Sequence, residues 1–339
     1  MKRQKKKICI IYTGGTIGMV PSENGYVPIP DYFHKILDEF QDLHHPDIPD
    51  WELIEFNPLL DSSDITVHEW NKIGRIIRDH YTQFDGFVIL HGTDTMAYSA
   101  SALSFMLENL NKPVVFTGAQ IPLCELRSDG RDNIINSIII AASEQIHEVC
   151  LYFNGKLLRG NRSTKASSDQ FKAFVSPNAP LLADVGISIQ YHTSAIRPAT
   201  KGVFHLQEFK EIPIGVLKIF PGIQFNLFES IMTEQLKGVV LETFGTGNIP
   251  SKGDALLPII EKAYENGTII VVCSQCMRGS VSLGTYATSK ALQNVDAVNG
   301  KDMTTEAAVT KLYYLFSRNL SKEEIKQYMS MNLCGELCE

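Results

Sequence analysis

The chain has 339 residues, of which 44% are hydrophobic and 20% charged, with a formal net charge of −7 and an isoelectric point near 5.8. That length is enough for two domains with cores of their own, and the composition is typical of globular proteins rather than disordered or fibrous ones. The acidic balance disfavours nucleic acid as the main partner, and no apolar run approaches the roughly 20 residues that span a bilayer.

The amino terminus and the cysteines both favour a cytoplasmic protein. The basic residues 2–7 precede an apolar run over 8–12, which is too short for a signal peptide and is followed by no small-residue cleavage site. The seven cysteines are scattered and odd in number, which is typical of free thiols in a reducing compartment. Cys273 and Cys276 have CxxC spacing but no second cysteine or histidine pair, so we expect neither a metal site nor another cofactor.

The first half of the chain alternates apolar runs typical of buried strands with amphipathic patterns typical of helices. Strands are predicted over 8–12, 52–56, 86–90, 114–116 and 148–153. Helices are predicted over 31–41, 66–80, 95–110 and 129–143. Thr66, followed three residues later by Glu69, has the pattern of a capping box. This alternation predicts an α/β fold with a mainly parallel sheet and helices on both faces.

A second, smaller α/β domain is predicted after the regular pattern is lost over 157–198. Its strands are predicted over 214–219, 238–241 and 268–272, and its helices over 253–266, 304–317 and 322–329. The resulting organisation is an N-terminal catalytic domain over 1–195, a linker over 196–213 and a C-terminal domain over 214–339.

The first chemistry-bearing segment is Thr13-Gly14-Gly15-Thr16-Ile17-Gly18, directly after the predicted strand 8–12. Its glycines are adjacent and no lysine follows, so it matches neither the dinucleotide nor the P-loop pattern. Residues 19–27, with Pro21 and Gly25, predict a hairpin or loop instead of a helix. A tight turn would explain part of the motif, but threonines among three glycines also suit a ligand that approaches the backbone closely.

The second segment is His91-Gly92-Thr93-Asp94-Thr95, between the predicted strand 86–90 and the predicted helix 95–110. Asp94 or Thr95 alone would suit a helix N-cap, and a histidine at a strand end is more often structural than catalytic. However, the carboxyl ends of parallel strands face one crevice. The two segments together therefore predict a hydrolytic site with threonine hydroxyls and a carboxylate, without serine, cysteine or metal.

Two further polar segments follow predicted strands. Asp61-Ser62-Ser63-Asp64 suits the ammonium and carboxylate of a zwitterion, although an ordinary polar loop would look the same. The segment 159–165 ends in Lys165, which would act as a base only if burial or positive neighbours such as Arg159 and Arg162 lower its pKa. A solvated basic turn is the alternative for this segment.

Taken together, these motifs resemble those of the bacterial-type L-asparaginase family. The resemblance spans essentially the whole chain and includes the segment 241–248 (Leu-Glu-Thr-Phe-Gly-Thr-Gly-Asn) in the second domain. The segments 61–64 and 161–165 are similar to those of the cytoplasmic type I branch. The resemblance implies a two-domain α/β fold and hydrolysis of L-asparagine to L-aspartate and ammonia.

The resemblance also implies roles for five side chains. Thr16 matches the nucleophile that forms a β-aspartyl ester, and Tyr26 matches a loop tyrosine that activates it. Thr93, Asp94 and Lys165 match a second triad. In that triad Asp94 orients Lys165, Lys165 polarises Thr93, and Thr93 handles the proton or the attacking water. The residues leave open which threonine attacks first.

Other matching residues concern substrate binding and assembly. Asp61, Ser62 and Ser63 match the segment that grips the α-amino and α-carboxylate groups, and backbone N–H groups near Gly92 are candidates for an oxyanion hole. Members of the family form homodimers or homotetramers with active sites completed between domains and across a dimer. Asn248 matches a residue that reaches a neighbour's site.

An allosteric asparagine site is implied near Thr164, Glu242 and Cys276, because some type I members carry one there. In those members an arginine binds the carboxylate of the effector, whereas this chain has Glu242 at that position. A carboxylate repels another carboxylate, so we expect the rate to saturate simply with asparagine.

The sequence allows three alternatives to a strict L-asparaginase to be compared with it. A relaxed amidohydrolase would also act on L-glutamine or on asparaginyl peptides, since one methylene typically changes specificity only about 10–200-fold. A non-catalytic amino-acid sensor would predict a broken triad, whereas all the triad residues are present. A tRNA-dependent amidotransferase subunit would carry an extra N-terminal domain, which the sequence does not show.

Overall fold

A computed structural model of the chain describes residues 5–23, 25–250, 256–285 and 287–338. The chain divides into two units, Met1–Gln207 and Glu208–Glu339. Residues 2–4 of the basic amino terminus and residues 253–255 of the predicted helix 253–266 lie outside the described residues. Within the described residues, no helix is both long and apolar enough to cross a membrane.

The first unit is organised around one large sheet. Its strands in chain order are β1 (Lys7–Gly14), β2 (Met19–Ser22), β3 (Gly25–Pro28), β4 (Asp50–Leu60), β5 (Gly86–Leu90), β6 (Leu107–Glu108), β7 (Val114–Thr117), β8 (Val149–Phe153), β9 (Lys156–Arg159), β10 (Thr164–Lys165), β11 (Phe174–Val175), β12 (Ala183–Val185), β13 (Ile189–Tyr191) and β14 (His205–Leu206). Its α-helices are α1 (Tyr32–Glu39), α2 (Val67–His80), α3 (Met96–Met106) and α4 (Gly130–Ala141). The large sheet has the order β13-β12-β9-β8-β7-β5-β1-β4.

Five neighbouring strands of this sheet, from β8 to β4, are parallel, and β9, β12 and β13 extend it in antiparallel pairings. This confirms the predicted mainly parallel sheet. The parallel strands are apolar at nearly every position because their two faces are both covered. One part of the core is formed by residues of β1, β5, α1 and α4, namely Ile8, Ile10, Tyr12, Val88, Leu90, Phe33, Leu37, Ile134 and Ile138.

Two helix and hairpin predictions are confirmed. Thr66 caps α2, and its backbone N–H donates to Glu69 at 2.8 Å in a complete capping box. After the first motif the chain enters the β2–β3 hairpin, which pairs Pro21 with Tyr26. A dinucleotide-binding loop would be followed by a helix at this point, so the hairpin argues against dinucleotide binding by this motif.

The structure differs from the sequence-based expectation in several connections. The predicted helix 95–110 ends at Met106, because β6 follows it and pairs with β14. Residues 196–207, the first part of the predicted linker 196–213, belong to the first unit and include β14. The antiparallel strands β9, β12 and β13 were not predicted.

The second unit contains a smaller parallel sheet with the order β15-β16-β17-β18. Its strands are β15 (Ile214–Lys218), β16 (Gly238–Thr243), β17 (Ile269–Ser274) and β18 (Val298–Asn299), and its helices are α5 (Leu256–Glu265), α6 (Ala287–Asn294), α7 (Thr305–Ser317) and α8 (Lys322–Met329). Apart from α6 and β18, each of these elements overlaps a predicted one. The unit is therefore a second α/β arrangement with a core of its own.

Candidate active site

The carboxyl ends of β1 and β5 bring the two threonine motifs into direct backbone contact. A Cβ atom on Gly15, whose φ is 85°, would lie 2.4 Å from the backbone nitrogen of Gly92. A Cβ atom on Gly92 would in turn lie 2.5 Å from Oγ of Ser62. Glycine at both positions therefore allows three loops to close on one another. This approach brings Thr16, Thr93 and Ser62 to a common cavity.

That cavity has a volume of about 230 Å³. It is smaller than the roughly 300–1,000 Å³ of sites for drug-sized ligands, and suits a ligand of amino-acid size. The predicted site residues that line it are Thr16, Asp61, Ser62, Gly92, Thr93, Asp94 and Lys165. Tyr26 and Ser63 are not among its lining residues.

Lys165 links the residues of the predicted triad. Its Nζ donates to Oγ1 of Thr93 at 2.8 Å and to Oδ1 of Asp94 at 2.6 Å. An ammonium group has donors but no acceptor, so the Thr93 oxygen accepts and must send its own proton elsewhere. The Thr93 hydroxyl donates to Oε1 of Gln120 at 3.3 Å. The order of donation is therefore from Lys165 to Thr93 to Gln120.

Arg159 and Arg162, which precede Lys165 in the sequence, contact other residues in the structure. Nε of Arg159 lies 2.5 Å from the carboxylate of Glu148, and Arg162 is buried and donates to the carbonyl of Asn178 at 2.8 Å. Both guanidinium groups therefore have partners other than Lys165, and an effect of their charge on Lys165 stays a prediction. The charged group that contacts Lys165 is the carboxylate of Asp94.

Thr16 begins a single turn of 3₁₀ helix, Thr16–Gly18, and is half-buried. Its hydroxyl makes no hydrogen bond to another residue in the described part of the chain. Tyr26, on β3, is 49% exposed, and its hydroxyl donates to Oε1 of Glu125 at 2.8 Å. This hydrogen bond raises the pKa of the Tyr26 phenol, so the phenol keeps its proton in this arrangement.

The segment 61–64 forms a short turn against the second motif. Oδ1 of Asp61 accepts hydrogen bonds from the backbone N–H and the hydroxyl of Ser63, both at 2.9 Å. The Thr95 hydroxyl donates to the carbonyl of Ser62 at 2.7 Å, and does not cap α3. These contacts hold Asp61 and Ser62 at the cavity wall.

His91 is buried next to the cavity-lining Gly92, and its Nδ1 lies 2.7 Å from the Gly92 carbonyl oxygen. Burial lowers the pKa of His91 to about 4, so the imidazole is neutral near pH 7. Because the neutral ring faces the Gly92 carbonyl oxygen with Nδ1, its one N–H proton must be on Nδ1. The structural interpretation of this histidine is thus supported.

The remaining predicted residues lie away from this cavity's lining. In the second unit, the Asn248 backbone N–H donates to the Phe244 carbonyl at 2.8 Å, just after β16. The Glu242 carboxylate accepts from the Thr305 hydroxyl at 2.6 Å, and Cys276 is exposed. In the first unit, Thr164 lies on β10, which pairs with β11.

Gln120, Met19 and Ser168 also line the cavity and were missed in the sequence. For Gln120 a signal existed, because it follows the predicted strand 114–116 as closely as the other motifs follow theirs. That strand is β7, the neighbour of β5 in the sheet. Its carboxyl end therefore reaches the same crevice.

Comparisons with known proteins agree with this geometry. The family described as "Asparaginase, N-terminal" matches residues 7–197, and "Glutaminase/Asparaginase C-terminal domain" matches residues 213–329. "L-asparaginase 1" of Escherichia coli K12 is 48% identical over 98% of both chains. The crystal structure of L-asparaginase I from Vibrio cholerae is similar with a TM-score of 0.92 and 44% identity, over 99% of this chain and 100% of that one. The thermostable L-asparaginase from Thermococcus kodakarensis has a TM-score of 0.90 at 29% identity, over 98% of this chain and 99% of that one.

Proposed function

This chain belongs to the asparaginase family, and we propose that it hydrolyses the side-chain amide of L-asparagine to L-aspartate and ammonia. The observation that carries the proposal is the hydrogen-bonded set of Lys165, Thr93 and Asp94 in a cavity that also presents Thr16. A hydrolytic enzyme of this kind is an amidohydrolase acting on linear amides.

In the first step we assign the attack to Thr16. Its Oγ1 adds to the amide carbon, the C–N bond breaks, and a β-aspartyl ester forms on Thr16. As the phenol of Tyr26 accepts the Thr16 proton, it gives its own proton to the departing nitrogen, which leaves as ammonia. For this step Tyr26 must exchange its hydrogen bond to Glu125 for one to Thr16, which requires the exposed β2–β3 hairpin to move. Backbone N–H groups at Gly92 and Thr93 would stabilise the developing oxyanion.

In the second step water hydrolyses the ester. Thr93 directs the water to the ester carbon and the C–O bond to Thr16 breaks. One proton of the water passes to Oγ1 of Thr16, and the water oxygen stays on the L-aspartate that is released. Lys165 supports this step by its hydrogen bond to Thr93, and Asp94 orients Lys165. The three residues thus act as one unit, as hydrogen-bonded catalytic residues commonly do.

We assign the two charged groups on the α-carbon of the substrate to the other walls of the cavity. Asp61 and Ser62 would bind the α-ammonium and α-carboxylate groups, with Ser63 supporting Asp61 through its two hydrogen bonds. The Asp94 side chain is 68% exposed, so it has room to accept from the α-ammonium while bound to Lys165. A substrate held by both groups on its α-carbon presents its side-chain amide to Thr16.

An ammonia-release assay with L-asparagine and L-glutamine tests the proposed function. We expect asparagine to be the better substrate by about 10–200-fold in kcat/KM, the usual effect of one methylene in a closely fitting pocket. Enzyme that releases no ammonia from asparagine, yet binds it in calorimetry, would establish the sensor alternative. Comparable rates with glutamine would establish the relaxed amidohydrolase.

The initial rate is expected to follow simple saturation with L-asparagine. The Glu242 carboxylate accepts from the Thr305 hydroxyl and lies 3.9 Å from Nζ of Lys218, so Glu242 adds negative charge where an effector carboxylate would bind. Initial rates over a wide asparagine range should give a Hill coefficient near one. A sigmoidal curve for purified enzyme would contradict this reading of Glu242, Thr164 and Cys276.

We further propose that the enzyme works in the cytoplasm as a homodimer or homotetramer in which Asn248 contributes to a neighbour's site. The seven free cysteines, Cys9 and Cys150 among the buried ones, suit a reducing compartment. The position of Asn248 just beyond the carboxyl end of β16, where ligands meet parallel sheets, suits a residue that contacts substrate.

A further inference from the structure

Residues 118–121, which follow β7, are held by hydrogen bonds with residues at the start of helix α4. Asp129 stands at the N-cap position of α4, where a carboxylate ordinarily accepts from the helix's own first N–H groups. Here it makes no such cap bond. Instead its oxygens accept from the backbone N–H of Gln120 at 3.0 and 3.1 Å and from that of Ile121 at 3.1 Å.

Two more residues near the start of α4 donate to the carbonyl groups of the same segment. Nδ2 of Asn133 donates to the carbonyl of Gly118 at 2.9 Å and to the Asp129 carboxylate at 3.2 Å. The Ser128 hydroxyl donates to the carbonyl of Ile121 at 2.8 Å. The backbone on both sides of Gln120 is therefore fixed to one rigid element.

The side chain of Gln120 connects this fixed backbone to the reactive groups. Its Oε1 accepts from the Thr93 hydroxyl at 3.3 Å, and its Nε2 donates to the carbonyl of Gln170 at 3.1 Å. Since Lys165 has no acceptor, Thr93 needs an acceptor such as Gln120 to hold its proton away from the lysine. A contact of 3.3 Å is near the long limit of a hydrogen bond, so a shift of the segment by a few tenths of an ångström would break it.

We propose that Asp129 is a positioning residue of this active site, which holds Gln120 against Thr93 and so sets the direction in which the Thr93 hydroxyl donates. The proposal rests on the proposed function, because Thr93 is assigned to the hydrolysis of the ester. Asp129 is not a lining residue of the cavity, and acts through the backbone of Gln120.

The test compares Asp129→Asn with Gln120→Ala, the double variant and a matched control. Asparagine has the shape of aspartate but replaces one acceptor oxygen with an NH₂ group. Because Oδ1 of Asp129 accepts from both backbone N–H groups, the NH₂ group takes the place of Oδ2, where it faces the backbone N–H of Gln120 and Nδ2 of Asn133, which are both donors. Asp85→Asn is the control, because the Asp85 carboxylate also accepts a backbone N–H, that of Lys7 at 2.9 Å. Lys7 begins β1 and Gly14 ends it at the cavity side, roughly 23 Å away along an extended strand.

We expect Asp129→Asn to lower kcat for asparagine about 10–100-fold with KM changed less than about threefold. Asp85→Asn should keep kcat within about twofold of wild type. The double variant should be no slower than Gln120→Ala alone, because Asp129 acts through Gln120. All assays are run well below the midpoint of thermal unfolding measured for each variant, so that the folded fraction is equal.

Three results would overturn the proposal. They are an Asp129→Asn variant with wild-type kcat, a Gln120→Ala variant with wild-type kcat, and effects of the two substitutions that multiply in the double variant. If Asp129→Asn fails to fold, Asp129→Glu replaces it, and its kcat is compared with those of Gln120→Ala and the corresponding double variant. Wild-type enzyme that releases no ammonia from asparagine would refute the proposed function itself, which separates the two failures.

Discussion

Thr16→Ala is expected to lower the rate of ammonia release from L-asparagine by more than about 10⁴-fold, since removal of a nucleophile typically removes nearly all of the catalysis that depends on it. The substitution deletes the only atom of Thr16 able to form the ester. It should leave the fold intact, because the Thr16 hydroxyl makes no hydrogen bond in the described part of the chain and the residue is only half-buried. Circular dichroism and thermal unfolding would therefore resemble those of wild type.

The matched control is Thr13→Ala, three residues earlier in the same motif. Thr13 is buried, and its hydroxyl donates to the carbonyl of Leu90 at 3.0 Å, away from the cavity lining. Its loss leaves a buried carbonyl without that donor, at a cost of about 1–3 kcal/mol of the free energy of unfolding. We expect Thr13→Ala to lower stability and keep kcat within about threefold. Near wild-type turnover in Thr16→Ala would remove Thr16 from the mechanism.

The sheet and its crevice were predictable because buried parallel strands are continuous apolar runs. The predicted strand 86–90 has the bounds that β5 has in the structure, and the helix cap at Thr66 was visible as a local pattern. The antiparallel extension was harder to predict, since β12 and β13 have only three residues each. For β9 the signal was present: Asn154-Gly155 joins it to β8, with φ of 46° and 78°, and this dipeptide favours a tight hairpin turn.

The residues of the cavity were also predictable where the signal is local in the sequence, and not where it depends on tertiary packing. Thr16 and Thr93 were found because each lies at the end of a recognisable strand. The partner of Tyr26 was not found, because Glu125 lies 99 residues along the chain and only tertiary packing brings it to the hairpin. The ion pair of Arg159 with Glu148 was not predicted for the same reason, since sequence spacing does not reveal an ion pair. Propensity and periodicity describe the elements, whereas side-chain pairing depends on how they pack.

Lys165→Met is expected to lower kcat for L-asparagine about 10²–10⁴-fold, the usual range for a group that assists proton transfer. Methionine keeps an unbranched side chain of similar reach but removes the donor to Thr93 and the partner of Asp94. The stability cost should be small, because the Asp94 side chain is 68% exposed and stays hydrated when its partner is lost. A loss of activity at unchanged thermal stability would therefore reflect chemistry and not folding.

The control for this substitution is Lys172→Met, which makes the same change at an exposed lysine seven residues further along the chain. It should leave kcat within about twofold of wild type, since it alters the net charge equally but lies outside the cavity lining.

The Lys165→Arg variant separates the effect of the positive charge from that of the position of Nζ. A guanidinium group keeps the positive charge but places planar donors where one nitrogen now bonds both Thr93 and Asp94. If the position of Nζ matters, Lys165→Arg will be nearly as slow as Lys165→Met. An arginine variant as fast as wild type would show that only the charge is needed, and a Lys165→Met variant as fast as wild type would remove the second triad.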